Sequence, residues 1–191
     1  YANTTGTRNL AIGFGAYDAS DTENDNIAIG YDAMTTNGAG AEKNVAIGNY
    51  VMDAAITGDG NIGVGYNALS ANLGGYQNTA VGLQAMLANT TGHNNSAYGT
   101  EALDANTTGV KNTAIGKSAL GGNTTADGNT AVGFEALYAN TTGTRNLAIG
   151  YQAYDASDTE NDNIAIGYQA MTTDTAGGTR NLALGNYALD A

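Results

Sequence analysis

Hydrophobic and polar positions recur along this chain on a fixed step. Asparagine stands at Asn9, Asn26, Asn44, Asn61, Asn78, Asn95, Asn112, Asn129, Asn146, Asn163 and Asn181, seventeen residues apart except for two steps of eighteen. Each opens a phrase whose consensus is N-x-A-[I/V]-G-x-x-A-[L/M], as in NIAIGYDAM, NTAVGLQAM and NTAIGKSAL. A short fixed period is the mark of a solenoid. Helical repeats need about 33 residues or more, because each unit carries a helix pair. Seventeen residues rich in Gly and Asn hold two short strands and two turns instead. The pattern therefore predicts an all-β chain, a parallel β-solenoid of eleven coils of 17–18 residues, forming a rod roughly 50 Å long at about 4.8 Å per coil. The N-x-A-I-G phrase is read as a first strand, x-A-[L/M] as a second, and the ANTTG segments as the returning turn.

The invariant positions each have a physical reading. Gly13, Gly30, Gly48, Gly65, Gly82, Gly99, Gly116, Gly133, Gly150, Gly167 and Gly185 close the first strand, as bends needing positive φ or close backbone approach. The asparagine column stacks residue over residue, where side-chain amides can form a ladder. Alanine between the apolar positions suggests a thin interior. Strand side chains alternate, so Ala11 faces one way while Leu10 and Ile12 face the other. Both faces are apolar in most coils, yet one coil has a single interior. The second face calls for another chain, and a closed symmetric trimer would supply it.

The residue after each ladder asparagine adds a longer rhythm. It is Leu10, Ile27, Val45 and Ile62, then Thr79, Ser96, Thr113 and Thr130, then Leu147, Ile164 and Leu182. Four apolar coils thus alternate with four hydroxyl-bearing ones. The same block length relates residues 1–54 to the near-identical 138–191, a 137-residue super-repeat. Residues 1–191 read as one repeat region, starting and stopping in mid-pattern, a piece of a longer repetitive chain.

The phrases NLAIGYQA, NVAIGNY and NTAIGKSA resemble the YadA-like head repeats of trimeric autotransporter adhesins, which also occur in bacteriophage tail fibres. The resemblance covers the whole chain. It implies a left-handed β-roll with three chains side by side, an extracellular place on a cell surface or virion fibre, and a structural or adhesive role towards a host protein or glycan. The ANTTG turn is longer than is usual for that family. No neck, stalk or anchor accompanies the repeats, so attachment and trimerisation follow from the resemblance alone.

Composition narrows the chemistry. Six basic residues face eighteen acidic ones, for a net charge of −12. That charge repels phosphate backbones, so no nucleic-acid partner is expected. Cysteine is absent, which removes thiolate metal sites and Cys nucleophiles. No apolar run approaches the ~20 residues of a membrane helix, so no membrane insertion of this segment is expected. His93 is the only histidine and sits in a turn, and the acids cluster in turns rather than round a pocket, so no catalytic residue is assigned and enzyme activity is not expected.

Four turn features invite functional readings. Asp18, Asp21, Glu23 and Asp25, repeated as Asp155, Asp158, Glu160 and Asp162, supply hard oxygens for Ca²⁺. A solvated acidic loop is the better reading, and no other cofactor is expected. The Asn-Thr-Thr turns at 3–5, 89–91, 106–108, 123–125 and 140–142 match the glycan acceptor pattern. Their stacked threonines raise an ice-binding alternative, with turn chemistry preferred. Phe14, Tyr31, Tyr66, Phe134, Tyr151 and Tyr168 follow the bend glycine and serve either packing or an exposed stripe for sugars or proteins.

Overall fold

The computed structural model describes residues 5–18, 22–36, 38, 40–156, 158–172 and 178–190. Eleven strands follow in order: β1 (Leu10–Ile12), β2 (Ile27–Ile29), β3 (Val45–Ile47), β4 (Ile62–Val64), β5 (Thr79–Val81), β6 (Ser96–Tyr98), β7 (Thr113–Ile115), β8 (Thr130–Val132), β9 (Leu147–Ile149), β10 (Ile164–Ile166) and β11 (Leu182–Leu184). They form one parallel sheet in chain order, so the chain is a β-solenoid of about ten turns between eleven strands. Among the described residues there is no helix.

Equivalent residues pair throughout: Thr113 lies opposite Thr130, Ala114 opposite Ala131 and Ile115 opposite Val132. The two eighteen-residue steps keep the same register, with Ile27 opposite Val45 and Ile164 opposite Leu182. Their extra residue is therefore absorbed outside the strand.

The strand's inner column is alanine, fully buried from Ala28 to Ala165 with Gly63 taking the place of one alanine. Opposite it lie the paired apolar residues of the G-x-x-A-[L/M] segment, such as Ala119 and Leu120, both at 0% exposure. That segment is a turn, not the expected second strand. Adjacent residues of a strand point to opposite faces, so two neighbours cannot both be inside. The backbone solves this by visiting the left-handed region at every second residue: Gly116, Ser118 and Leu120 have φ of 132°, 55° and 52°.

Non-glycine residues hold such angles only at a cost of roughly 1–2 kcal/mol each. Here the cost is offset between coils. The Ser118 N–H donates to Thr100 O of the coil before (2.9 Å), and the Leu120 N–H donates to Ala136 O of the coil after (3.0 Å). A third left-handed residue precedes each ladder asparagine, and Lys111 there donates its N–H to His93 O at 3.1 Å. Two coils carry glycine in that column, Gly60 and Gly128. The cross-section thus exists only by stacking, since a lone coil would keep the strain and lose the bonds.

Candidate functional site: two amide columns and an uncharged outward face

Two columns of asparagine run through the stack, with different chemistry. In the first, the bonds run from side chain to backbone. Asn112 Oδ1 accepts the N–H of Asn129 (2.9 Å), and its Nδ2 donates to Ala126 O (2.8 Å). The same clamp joins Asn95 to Asn112 and Asn78 to Asn95. Among the described residues the expected amide-to-amide contact occurs here only between Asn61 and Asn44 at 3.2 Å.

Replacing Asn112 with alanine would strand the buried Asn129 N–H, while Ala126 O keeps a longer bond from Asn123 (3.3 Å). We expect a loss of about 1–3 kcal/mol. Amide exchange at Asn129 should accelerate while that at Asn61, several coils away, stays protected.

The second column is the true amide ladder, built from the Asn-Thr-Thr turns together with Asn72 of the ANLG segment. Asn89 Nδ2 donates to Asn72 Oδ1, Asn106 to Asn89, Asn123 to Asn106 (2.8, 2.8 and 2.9 Å) and Asn140 to Asn123 at 3.2 Å. All five side chains are buried. This corrects the glycan-acceptor reading for 89–91, 106–108, 123–125 and 140–142, because a fully enclosed amide nitrogen cannot carry a sugar in the folded chain. Asn3 and Thr4 lie outside the described residues. The threonines after these asparagines are also engaged: Thr90 Oγ1 donates to Thr107 O and Thr107 Oγ1 to Thr124 O (2.9 and 3.0 Å).

The acidic turns do not present four parallel carboxylates. Glu23 and Glu160 turn inward and are 3% and 5% exposed. The Glu160 carboxylate accepts the N–H groups of Asp158 (3.2 Å) and Thr159 (3.1 Å). Tyr17 and Tyr154 fill the neighbouring core, where leucine or methionine stands in other coils, and Tyr154 Oη accepts from Asn163 Nδ2 at 2.5 Å. Asp25 pairs with Arg8, and Asp162 with Arg145 through two bonds of 2.6 and 3.0 Å. Asp158 accepts from the Thr141 hydroxyl, Asp18 is exposed, and Asp21 lies outside the described residues. Among the described residues no three His, Asp or Glu side chains gather closely enough to hold a metal ion.

These environments set opposing titrations. The hydrogen bond from Arg145 holds the Asp162 carboxyl below its ordinary value against the upward push of desolvation, and Arg8 does the same for Asp25. Burial, seconded by nearby carboxylates, pushes Asp104 and Asp155 up. A carboxyl raised in the folded chain binds protons before the unfolded chain does, so Asp104 and Asp155 lower stability at neutral pH and release that cost on acidification. The contributions of Asp25 and Asp162 are present above the unfolded value of about 4 and lost below it. The melting temperature is therefore expected to rise on acidification as Asp104 and Asp155 take up protons above the ordinary carboxyl value of about 4, and to fall below it, with self-repulsion of the −12 chain adding to the rise. A melting series that falls steadily from neutral pH down to about 4 would contradict the roles of Asp104 and Asp155.

The aromatic stripe is a pair of ring stacks. Phe134–Tyr151 and Tyr151–Tyr168 are nearly parallel at 5.1 Å between centroids, and Tyr187 meets Tyr168 edge-on at 5.4 Å. In the other group Phe14 stacks on Tyr31 at 5.5 Å, while Tyr31–Tyr50 and Tyr50–Tyr66 meet edge-on at 5.4 and 5.7 Å. Tyr151 is stacked on both faces and the other rings contact one another in series, which suits packing better than stacking on a sugar. His93 stacks on Tyr76 at 4.4 Å.

The remaining surface is the outward side of the sheet. Positions flanking each inner alanine form two columns, and Ile47, Ile62, Ile115, Ile149 and Ile164 are each 37–42% exposed. No outward strand residue is charged. Thr79, Ser96, Thr113 and Thr130 interrupt the apolar column as a hydroxyl band, and the rings of the aromatic stripe lie beside the apolar bands except for Phe134, which stands in the Thr130 coil. No family model, curated protein or solved structure matches the chain. No helix among the described residues is long and apolar enough to cross a membrane.

Proposed function

We propose that this chain is a structural and adhesive segment of an extracellular fibre, a rigid rod on a cell surface or virion that spaces or presents a contact surface. The observation that carries the reading is the uncharged apolar side of the sheet, which one chain leaves uncovered on a stack hydrogen-bonded from coil to coil. An apolar strip of this length is a liability for a lone soluble chain. Three copies side by side, each a left-handed roll as in the YadA-like repeats its phrases resemble, would enclose it. The roles towards a host protein or glycan belong to the same proposal.

The test is light scattering on the purified segment together with electron microscopy. Trimers or thicker filaments support the reading. A soluble, well-folded monomer at tens of micromolar would sink it.

The hydroxyl band favours a second reading, a repetitive surface for ice or glycans. Thr113 and Ile115 point outward together in a regular array. Thermal hysteresis by the monomer, or glycan binding lost on Thr113→Val, would select this alternative.

A further inference from the structure

We infer that the outward face pairs with a second copy of this chain, parallel and in one axial register set by the alternation of apolar and hydroxyl bands. The inference rests on the fibre reading and adds to it which residues fix the alignment.

Charge argues for a copy of the same chain as the occupant. The chain carries −12, so two copies repel wherever their turns meet. They can approach only through a surface without charge, and the outward strand columns are that surface. A basic partner would be met by acidic side chains there, and none is present.

Geometry adds a second argument. The strand columns alone cover on the order of 500 Å² at about 4.8 Å per coil and 3.3 Å per residue. That is below the ~800 Å² per partner of a stable interface. The exposed rings of Tyr31, Tyr66, Tyr151 and Tyr168 beside the strands extend the patch towards that size.

A sheet with identical coils would slide, because a shift of one coil height restores every contact. This sheet does not offer that freedom. A shift of four coils sets Ile62 and its neighbours against Thr130 and the hydroxyl band, burying hydroxyls without partners. Only zero shift, or a whole eight-coil block of about 38 Å, restores band to band. The aromatic rings that share the eight-coil spacing, Phe14 with Tyr151 and Tyr31 with Tyr168, favour the same choice.

Because the chain has no cysteine, single introduced thiols report register directly. We would make Val45→Cys and Thr113→Cys, four coils apart, and treat the assembled protein with a bis-maleimide much shorter than the ~19 Å between those coils. Expected are 45–45 and 113–113 links, with 45–113 links in mixed samples at least ten-fold rarer. Replacing Thr79, Ser96 and Thr130 with isoleucine in both thiol variants should raise the 45–113 yield to that of the like pairs.

Comparable 45–113 links in the unmodified face, or no rise after the isoleucine changes, would overturn the register inference while leaving self-association standing. Links at 113–113 without 45–45 would mean antiparallel pairing and overturn it too. A monomer with no links at all would overturn the fibre reading beneath it. Circular dichroism of each variant checks that the outward substitutions leave the solenoid folded.

Discussion

Replacing Gly116 with alanine is expected to divide the solenoid into two stacks that melt separately. The residue sits at φ 132°, and a Cβ there would lie 2.4 Å from Gly133 O and 2.7 Å from Gly133 C. Neither side can retreat. The Gly116 N–H is bonded to Tyr98 O and the Gly133 N–H to Ile115 O, each at 2.8 Å. Strain at such a backbone angle costs about 1–3 kcal/mol, and forcing an extra methyl into packed backbone costs a similar amount. A loss of about 2–6 kcal/mol falls on one interface between coils.

In a stack where each coil touches only its neighbours, that interface is where the chain parts. Calorimetry should then resolve two transitions in place of one, with hydrogen exchange accelerated around β7 and β8. The control is Gly74→Ala, where the added methyl would meet nothing nearer than 3.7 Å and stability should change by less than about 0.5 kcal/mol. A Gly116→Ala protein that melts like the parent would mean that the stacked glycines carry no such constraint.

The axis of this molecule was legible in the sequence, and much of its cross-section was not. Period, parallel register and the inward alanine follow from spacing alone, because stacking repeats each residue onto its own kind. The G-x-x-A-L segment was read as a strand because apolar residues follow a bend. Its adjacent pair, Ala119 and Leu120, already conflicts with a period of two, and the left-handed angles at Ser118 and Leu120 are how both reach the core. Nothing local announces those angles, since leucine avoids them unless bonds from neighbouring coils hold it there.

The second amide ladder hid behind a familiar turn motif. Its signal was the glycine three residues after four of the five asparagines, Ala126 following Asn123: a side chain at Gly109 would start 2.4 Å from Asn106 Oδ1. Where Glu160 replaces that glycine, Ser157 replaces the asparagine, so the exchange was visible in the letters. That the glutamate turns inward was not, because an acidic run is solvated in most settings. The outward face was readable as apolar from Leu10 and Ile12 onward, and its full lack of charge emerged once the strands had bounds.

Adding one residue to a strand should do far more harm than removing seventeen. Deleting residues 95–111 takes out one whole coil and brings Asn112 to the place of Asn95. Asn78 Oδ1 then accepts from Asn112 N–H, Thr113 pairs with Thr79, and Gly116 stacks on Gly82, all contacts of a kind the stack already makes. The protein loses one coil's share of stability and keeps its fold.

A glycine inserted between Ala114 and Ile115 has no such route. The strand is three residues long, clamped by Asn112 at one end and cornered by Gly116 at the other. The extra residue must flip a side chain across the sheet or push the corner out of its column. Both interfaces of that coil suffer, for an expected loss above about 4 kcal/mol, which marks a specific structural break rather than ordinary substitution. The eighteen-residue steps locate where the same addition is harmless, since they hold an extra residue with strand register unchanged. A glycine inserted after Thr125, in the returning turn, should therefore cost less than about 1 kcal/mol. Thermal melts and electron micrographs of the three variants decide the matter. A strand insertion as stable as the turn insertion would refute the stacked-register account, and so would a whole-coil deletion that fails to fold.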